Sequence, residues 1–191
     1  MKYYNVKENG DTLSVSYDVA GRTFKQGPKI IVELPKHMEL EGLYVDTDLG
    51  EVILQDLEES LKVIEVYSDL GNIRIEDCKA HEASTLTVNA ALGDVEIEDS
   101  KFGEADLNAA LGNVDFSGKV TGNMTVQVNM GNIEVELDGK EKDYNIRMEA
   151  EMGEVIFNGR KQDDNYTVQQ ENAIGDIELK CDMGNIELDF E

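Results

Sequence analysis

Apolar and polar residues alternate along most of this chain, and one short phrase interrupts the alternation eight times. The phrase is a large apolar residue, glycine, an acid or amide, and then Val or Ile. Its glycines are Gly50, Gly71, Gly93, Gly112, Gly131, Gly153, Gly175 and Gly184. The steps between them are 21, 22, 19, 19, 22, 22 and 9 residues. A repeat at this interval indicates stacked coils of backbone, each of which needs its neighbours to bury its apolar side chains.

Each phrase predicts a strand on either side of its glycine. Apolar residues stand seven, five and one positions before the glycine, and two and four positions after it. Because strict alternation is typical of half-buried strands, we expect side chains at all five positions to point inward. Small residues three positions before glycine, among them Ala90 and Ala109, indicate that two walls approach closely there.

The glycine and the polar residue after it shift the alternation by one position, which predicts a corner. Glycine allows a bend that a side chain would forbid, so the eight glycines are the candidate structural sites of the chain. The polar residues that follow them should form a ladder of acids and amides along the corner, with Glu154 and Asp176 as its only adjacent acids.

These patterns predict an all-β fold, a single-chain parallel β-solenoid (β-helix) of about seven rungs of 19–22 residues. One domain spans 1–191, with an N-terminal cap at 1–33, repeated rungs at 34–170 and closing rungs at 171–191. The short step between Gly175 and Gly184 predicts a tight turn joining the last two phrases.

The predicted cap begins with a β-hairpin. Residues 3–8 and 12–19 alternate around an Asn-Gly-Asp turn at 9–11, and 29–34 reads as a further strand that Pro35 ends. We expect this cap to cover the first rung, whose open strand edge would otherwise recruit another chain.

The net charge of the chain limits the classes of partner that it can bind. Forty-one acids against 17 bases give a net charge of −24, which repels phosphate backbones and anionic lipids. We therefore expect no nucleic-acid partner and no direct insertion in a membrane. No apolar run is long enough to span a bilayer, and residues 1–30 lack a signal-peptide pattern, so we expect a soluble chain.

Metal and disulfide chemistry are also not expected. The rungs lack the Gly-Gly-x-Gly-x-Asp phrase of calcium-binding coils, which leaves only weak, non-specific binding of divalent cations and no cofactor. Cys78 and Cys181 lie several rungs apart, too far for a disulfide, so both should be free thiols.

No residue set in the sequence points to catalysis. Acids three positions after successive glycines, such as Glu96, Asp115 and Glu134, form pairs through the repeat alone. His37 and His81 stand alone, and the common catalytic signatures are missing. We therefore expect a protein that is not an enzyme.

Three segments carry a resemblance to a known family: LPKHMELEGLYVDTDLGEV (34–52), ALGDVEIED (91–99) and ENAIGDIELKCDMGNIELDF (171–190). Together with TL-x-V at 12–15, they resemble the bacterial adhesin β-solenoid family, domains of unknown function associated with the cell envelope. The resemblance implies a solenoid in the cell envelope or outside the cell, although this chain carries no signal peptide or anchor. It implies no catalytic residues.

The expected function is a non-enzymatic, adhesin-like module that binds a protein or glycan partner through its flat walls or loop edge, as a monomer. Two alternatives stay open. One is a β-helical scaffold that assembles end to end. The other is a polysaccharide-acting enzyme on a β-helix, for which Tyr44, Tyr67, Tyr144 and Tyr166 would be the candidate aromatic platforms.

The excess of acids predicts that salt stabilises the fold. Repulsion among the carboxylates opposes the compact state, and salt shortens its range from ~30 Å at 0.01 M to ~3 Å at 1 M. We expect the melting temperature to rise between these two sodium chloride concentrations. Equal melting temperatures would show that this repulsion does not limit stability.

Overall fold

The structure, a computed structural model, describes residues 4–17, 29–35, 38–57 and 60–191. The chain divides into two compact units, residues 1–33 and 34–191. In the first unit, β1 (Tyr4–Asn9) pairs antiparallel with β2 (Thr12–Tyr17) across a tight turn in which Gly10 has φ +61°. The predicted hairpin is therefore present, although its outer residues, 3 and 18–19, lie outside the described ranges. Its role as a cap stays a prediction.

The strand predicted at 29–34 is wrong. Residues 29–35 are described and form no strand, and Ile30, Ile31 and Val32 are exposed. The run has the composition of a strand, but a strand also needs a neighbouring backbone to exchange hydrogen bonds with. No strand in the described part of the chain pairs with this segment.

The second unit is built from strands that lie on either side of the recurrent glycines. Their bounds are β3 (Gly42–Thr47), β4 (Val52–Gln55), β5 (Val63–Leu70), β6 (Ile73–Glu76), β7 (Thr85–Leu92), β8 (Val95–Phe102), β9 (Glu104–Leu111), β10 (Val114–Val120), β11 (Met124–Met130), β12 (Ile133–Leu137), β13 (Tyr144–Met152), β14 (Val155–Phe157), β15 (Arg160–Lys161), β16 (Asn165–Val168), β17 (Gly175–Met183) and β18 (Ile186–Phe190). A 3-10 turn at Glu141–Asp143 precedes β13.

These strands form two sheets of eight strands each. The first wall has the order β16-β13-β17-β11-β9-β7-β5-β3, and the second wall has the order β15-β14-β18-β12-β10-β8-β6-β4. Neighbours run parallel except β16 and β15, which close one edge of each wall as antiparallel strands. The prediction of an all-β fold with parallel sheets is confirmed, with these two antiparallel strands as an addition.

The order of the strands differs from the order of the sequence at one place. β17 lies between β11 and β13, and β18 lies between β12 and β14. Residues 175–190 are thus an interior layer of the stack, so the predicted position of 171–191 as closing rungs is wrong. The predicted tight turn is also wrong, because Gly175–Met183 is one continuous strand.

Gly175 opens β17 and lies in a different column from the corner glycines. A Cβ on Gly175 would overlap the carbonyl of Gly122, at the corner where the chain re-enters the first wall. The sequence around Gly175 resembles the corner phrase because two backbones approach closely at both positions. Its assignment as an eighth corner glycine is therefore corrected.

The core lies between the two walls and follows the predicted alternation at four of the five inward positions. Residues seven and five positions before each corner glycine, and two and four after it, are buried or packed against the core. In β9 and β10, for example, these are Ala105, Leu107, Val114 and Phe116. The fifth position, directly before glycine, behaves differently and is described with the site below.

The corner glycines stack in the order Gly50, Gly71, Gly93, Gly112, Gly131, Gly184 and Gly153. From the second onward, a Cβ on each would overlap the carbonyl of the glycine before it in this order. Gly112 has φ +149° as well, a conformation that side chains rarely adopt. The column therefore needs glycine for two reasons, backbone conformation and space.

Two alanine substitutions separate these two reasons. Gly50 has φ +130°, but no atom lies within 4 Å of the place that a Cβ would take, so Gly50→Ala tests strain alone and should cost about 1–3 kcal/mol. Gly112→Ala adds overlap with the Gly93 carbonyl and should cost a further ~1–3 kcal/mol. Urea unfolding measures both. Equal losses would show that space at the corner is not limiting.

Candidate functional site

The residues directly before the corner glycines form an exposed apolar ridge along the stack. Their exposed fractions range from 38% at Leu111 to 77% at Leu49. In stacking order, the apolar ridge consists of Leu49, Leu70, Leu92, Leu111, Met130, Met183 and Met152. Adjacent members lie on neighbouring rungs, about 4.8 Å apart, so they form one continuous stripe.

The backbone of the apolar ridge is held by hydrogen bonds between rungs. The N–H of each corner glycine except Gly153, the last of the column, donates to the carbonyl of the ridge residue on the next rung, for example Gly71 to Leu92 (2.9 Å) and Gly112 to Met130 (3.0 Å). Successive ridge residues are thereby kept in register. The backbone of the ridge is therefore held in place by the fold itself.

The prediction that these residues point inward is wrong, and the walls explain why. Residues three positions before glycine, such as Ala90 and Ala109, are buried where the two walls converge. On other rungs Ser68, Val128 and Cys181 are buried at the same position, so only small or short side chains fill it, and no room is left for a leucine or methionine two residues closer to the corner. The backbone is already bending there, so the side chain that strict alternation would place inside turns to solvent.

The predicted polar ladder runs beside the apolar ridge. The side-chain oxygen on one rung accepts a hydrogen bond from the backbone N–H at the same position on the next. The bonds are Asn72 to Asp94 (3.0 Å), Asp94 to Asn113 (2.8 Å), Asn113 to Asn132 (2.9 Å), Asn132 to Asn185 (2.9 Å) and Asn185 to Glu154 (2.9 Å), with the accepting residue named first.

The insertion of residues 175–190 changes the neighbours within this ladder. Asn185 lies next to Glu154, so the predicted contact between Glu154 and Asp176 is wrong. Asp176 instead accepts a hydrogen bond from the amide of Asn145 (2.7 Å). No two acids are adjacent in the ladder along the described corner, which limits repulsion at rung spacing.

A shallow groove lies on the first wall beside the apolar ridge. Its volume is about 290 Å³, and its lining includes small residues such as Ala91 and Ala110. The amides Asn89, Asn108 and Gln127 line it. Asp69 is the one charged residue among those that line this amide groove, in contrast to the acidic chain as a whole.

Tyr67 lies at one end of the amide groove and packs against Tyr44, with ring centroids 5.6 Å apart. Tyr44 is 64% exposed, so this pair can offer an aromatic surface to a ligand. Tyr144 is buried and its hydroxyl donates to the Val120 carbonyl (2.6 Å), which corrects its prediction as a platform. Tyr166 is half-buried against Phe157.

The outer face of the second wall is acidic. Glu96, Asp115 and Glu134 lie side by side on consecutive strands, as the repeat predicts. Burial and the neighbouring carboxylates, first Glu134, raise the pKa of Asp115, and the negative charge of Glu96 raises the pKa of Glu98. Arg74 pairs with Glu96 at 2.7 Å and relieves part of this repulsion. These acids lie on a flat wall rather than in a cleft.

The other predicted candidates do not join a common site. Cys78 and Cys181 are free, as predicted, and both are buried. Burial raises the pKa of Cys78 to about 11, which keeps it a neutral thiol. His81 is exposed, and its Nδ1 accepts the N–H of Ala83 (3.0 Å). His37 lies outside the described residues.

Two other kinds of site are absent from the described residues. No group of three or more His, Cys, Asp or Glu is arranged to hold a metal ion in the described ranges. Among the same residues, no helix has the length and apolar character needed to cross a membrane.

Two leucines of β9 test the assignment of the apolar ridge. Leu107 is buried in the core, whereas Leu111, four residues later, is exposed. We expect Leu107→Ala to lower the free energy of unfolding by about 2–5 kcal/mol, and Leu111→Ala to change it by less than about 1 kcal/mol. Denaturant unfolding measures both, and a loss at Leu111 as large as that at Leu107 would place its side chain in the core.

The comparisons with known proteins give one result. The chain matches the family described as Toastrack DUF4097, a domain of unknown function, over residues 2–189. No curated protein and no solved structure gave a match. The family match covers the hairpin, both walls and the apolar ridge, and the chain therefore belongs to the Toastrack DUF4097 family.

Proposed function

We propose that this protein is a non-enzymatic binding module of the cell envelope or cell surface, and that it binds a protein partner through the apolar ridge. The adhesin-like role follows from the sequence resemblance. The observation that supports binding is the ridge itself. Exposed apolar surface that is continuous over many residues marks interaction sites on soluble proteins, whereas scattered single residues need no explanation.

The order of the apolar ridge favours binding energetically. Its backbone is already held by hydrogen bonds between rungs, so little freedom is lost when a partner covers the side chains. Leu111 and Met130 keep 38% and 44% of their surface exposed in the fold, and this part is open to a partner. Burial under a partner would release apolar surface from water at roughly 25 cal/mol per Å².

A glycan is the second candidate partner, and the amide groove favours it. Asn89, Asn108 and Gln127 offer hydrogen-bond donors and acceptors without charge, which suits the hydroxyl groups of a neutral sugar chain. The exposed ring of Tyr44 beside Tyr67 adds an aromatic surface. The ridge extends over more rungs than the groove, and for this reason we favour a protein partner over a glycan.

Site-specific photo-crosslinking tests the proposal. A photoreactive phenylalanine derivative replaces Leu111 in the full chain, which is then irradiated in the cells that produce it. We expect a discrete protein adduct at this position. The matched control carries the same group at Glu134, which is exposed on the second wall, and should give no such adduct.

Two results would contradict the protein partner. One is the lack of an adduct at Leu111, and the other is the same set of adducts at Leu111 and Glu134. A glycan array decides the second candidate, with Asn108→Ala and Gln127→Ala as variants of the amide groove. Glycan binding that both variants abolish, without an adduct at Leu111, would replace the first proposal by the second.

A further inference from the structure

The charges beside the apolar ridge have one sign. The positions two before and one after each corner glycine flank the ridge, and they hold only acids, amides and alanine. The acids are Asp48, Glu51, Asp69, Asp94, Glu151, Glu154 and Asp182. Among the described bases, Lys161 reaches one of them, Glu154, at 2.7 Å. An apolar stripe between acidic borders is complementary to an apolar stripe between basic borders.

We infer that the ridge binds a basic amphipathic helix, a segment whose apolar face is bordered by Lys and Arg. This inference rests on the proposed function and specifies the partner at the same site. A second copy of the chain is a poor occupant, because two chains of charge −24 would bring their acidic borders together. A basic segment removes that repulsion and adds attraction.

The spacing of the ridge favours a helix over an extended strand. Ridge residues repeat about every 4.8 Å, whereas successive turns of a helix repeat every ~5.4 Å and same-face residues of a strand every ~6.7 Å. The helix differs from the ridge by only ~0.6 Å per step. The distance from Leu49 to Met152 covers six steps, about 29 Å, and a helix of about 19 residues has this length.

The side chains of the ridge can adapt to the remaining difference in spacing between the ridge and a helix. Three of its seven members are methionines, which are unbranched and adapt to irregular surfaces. These methionines, Met130, Met183 and Met152, occupy one end of the ridge. The accumulated difference in spacing can therefore be absorbed by side-chain rotation rather than by bending of the helix.

Binding of designed peptides to the full chain tests the inference. The probe is a labelled helical peptide of about 19 residues with Leu along one face and Lys on both sides of it. Two matched peptides carry either Glu in place of Lys, or Ala in place of Leu. Fluorescence anisotropy should show binding of the Leu/Lys peptide at least tenfold tighter than binding of either matched peptide. Comparable binding of the Ala/Lys peptide would overturn the inference, because attraction would then be charge alone.

Variants of the protein locate the binding site. The ridge variant combines Leu92→Gln, Leu111→Gln and Met130→Gln, and the control variant combines Ile53→Gln and Val63→Gln, two exposed apolar residues outside the ridge. We expect the ridge variant to weaken binding of the Leu/Lys peptide at least tenfold and the control to leave it within twofold. Leu111→Gln alone serves if the triple variant has a lowered melting temperature. Undiminished binding by a folded ridge variant would overturn the inference.

The two proposals can fail separately. A protein adduct at Leu111 together with no preference for the Leu/Lys peptide leaves the binding function in place and refutes the basic helix. The absence of both the adduct and the peptide binding refutes the two together. Asp69→Asn with Asp94→Asn gives a further check, since both should weaken binding of the peptide and reduce its sensitivity to salt.

Discussion

Close approach of backbones at the corner is the constraint on which the other features of this fold depend. Parallel strands that are stacked in register all bend at the same position. At that bend the carbonyl of the glycine on one rung occupies the place that a Cβ would take on the next rung, so the residue there is glycine. The same bend turns the preceding residue outward and brings the following amide within reach of the next backbone N–H. The glycine column, the apolar ridge and the polar ladder are thus three results of one geometry.

Much of this geometry could be predicted from the sequence, because equivalent positions of the repeat have the same structural environment and therefore the same residue type on several rungs. The parallel walls, the buried positions around each glycine and the ladder of amides follow from period and residue type. Alternation does not predict the ridge, because the backbone bends at the residue directly before glycine and turns its side chain outward. Alanine three positions before glycine, as at Ala90 and Ala109, indicates that the space between the walls is narrow there, too narrow for Leu92 or Leu111 to turn inward.

The remaining differences concern which backbones lie next to each other, and local patterns do not carry that information. The phrase at Gly175 has the residues of a corner because it also packs tightly against another glycine, Gly122. Residues 29–34 have a strand's composition without a partner strand. The place of β17 between β11 and β13 depends on pairing across more than fifty residues, and the sequence hints at it only through the amides Asn132 and Asn185.

The interior position of residues 175–190 has a consequence for the order in which the fold is made. Residues 144–157 are synthesised earlier, yet the surface on which they rest is provided by β17 and β18. The strands β13 and β14 cannot pair directly with β11 and β12, because β17 and β18 lie between them. Addition of rungs in sequence order therefore stops at β12, and the docking of residues 144–157 on the earlier rungs depends on residues 175–190.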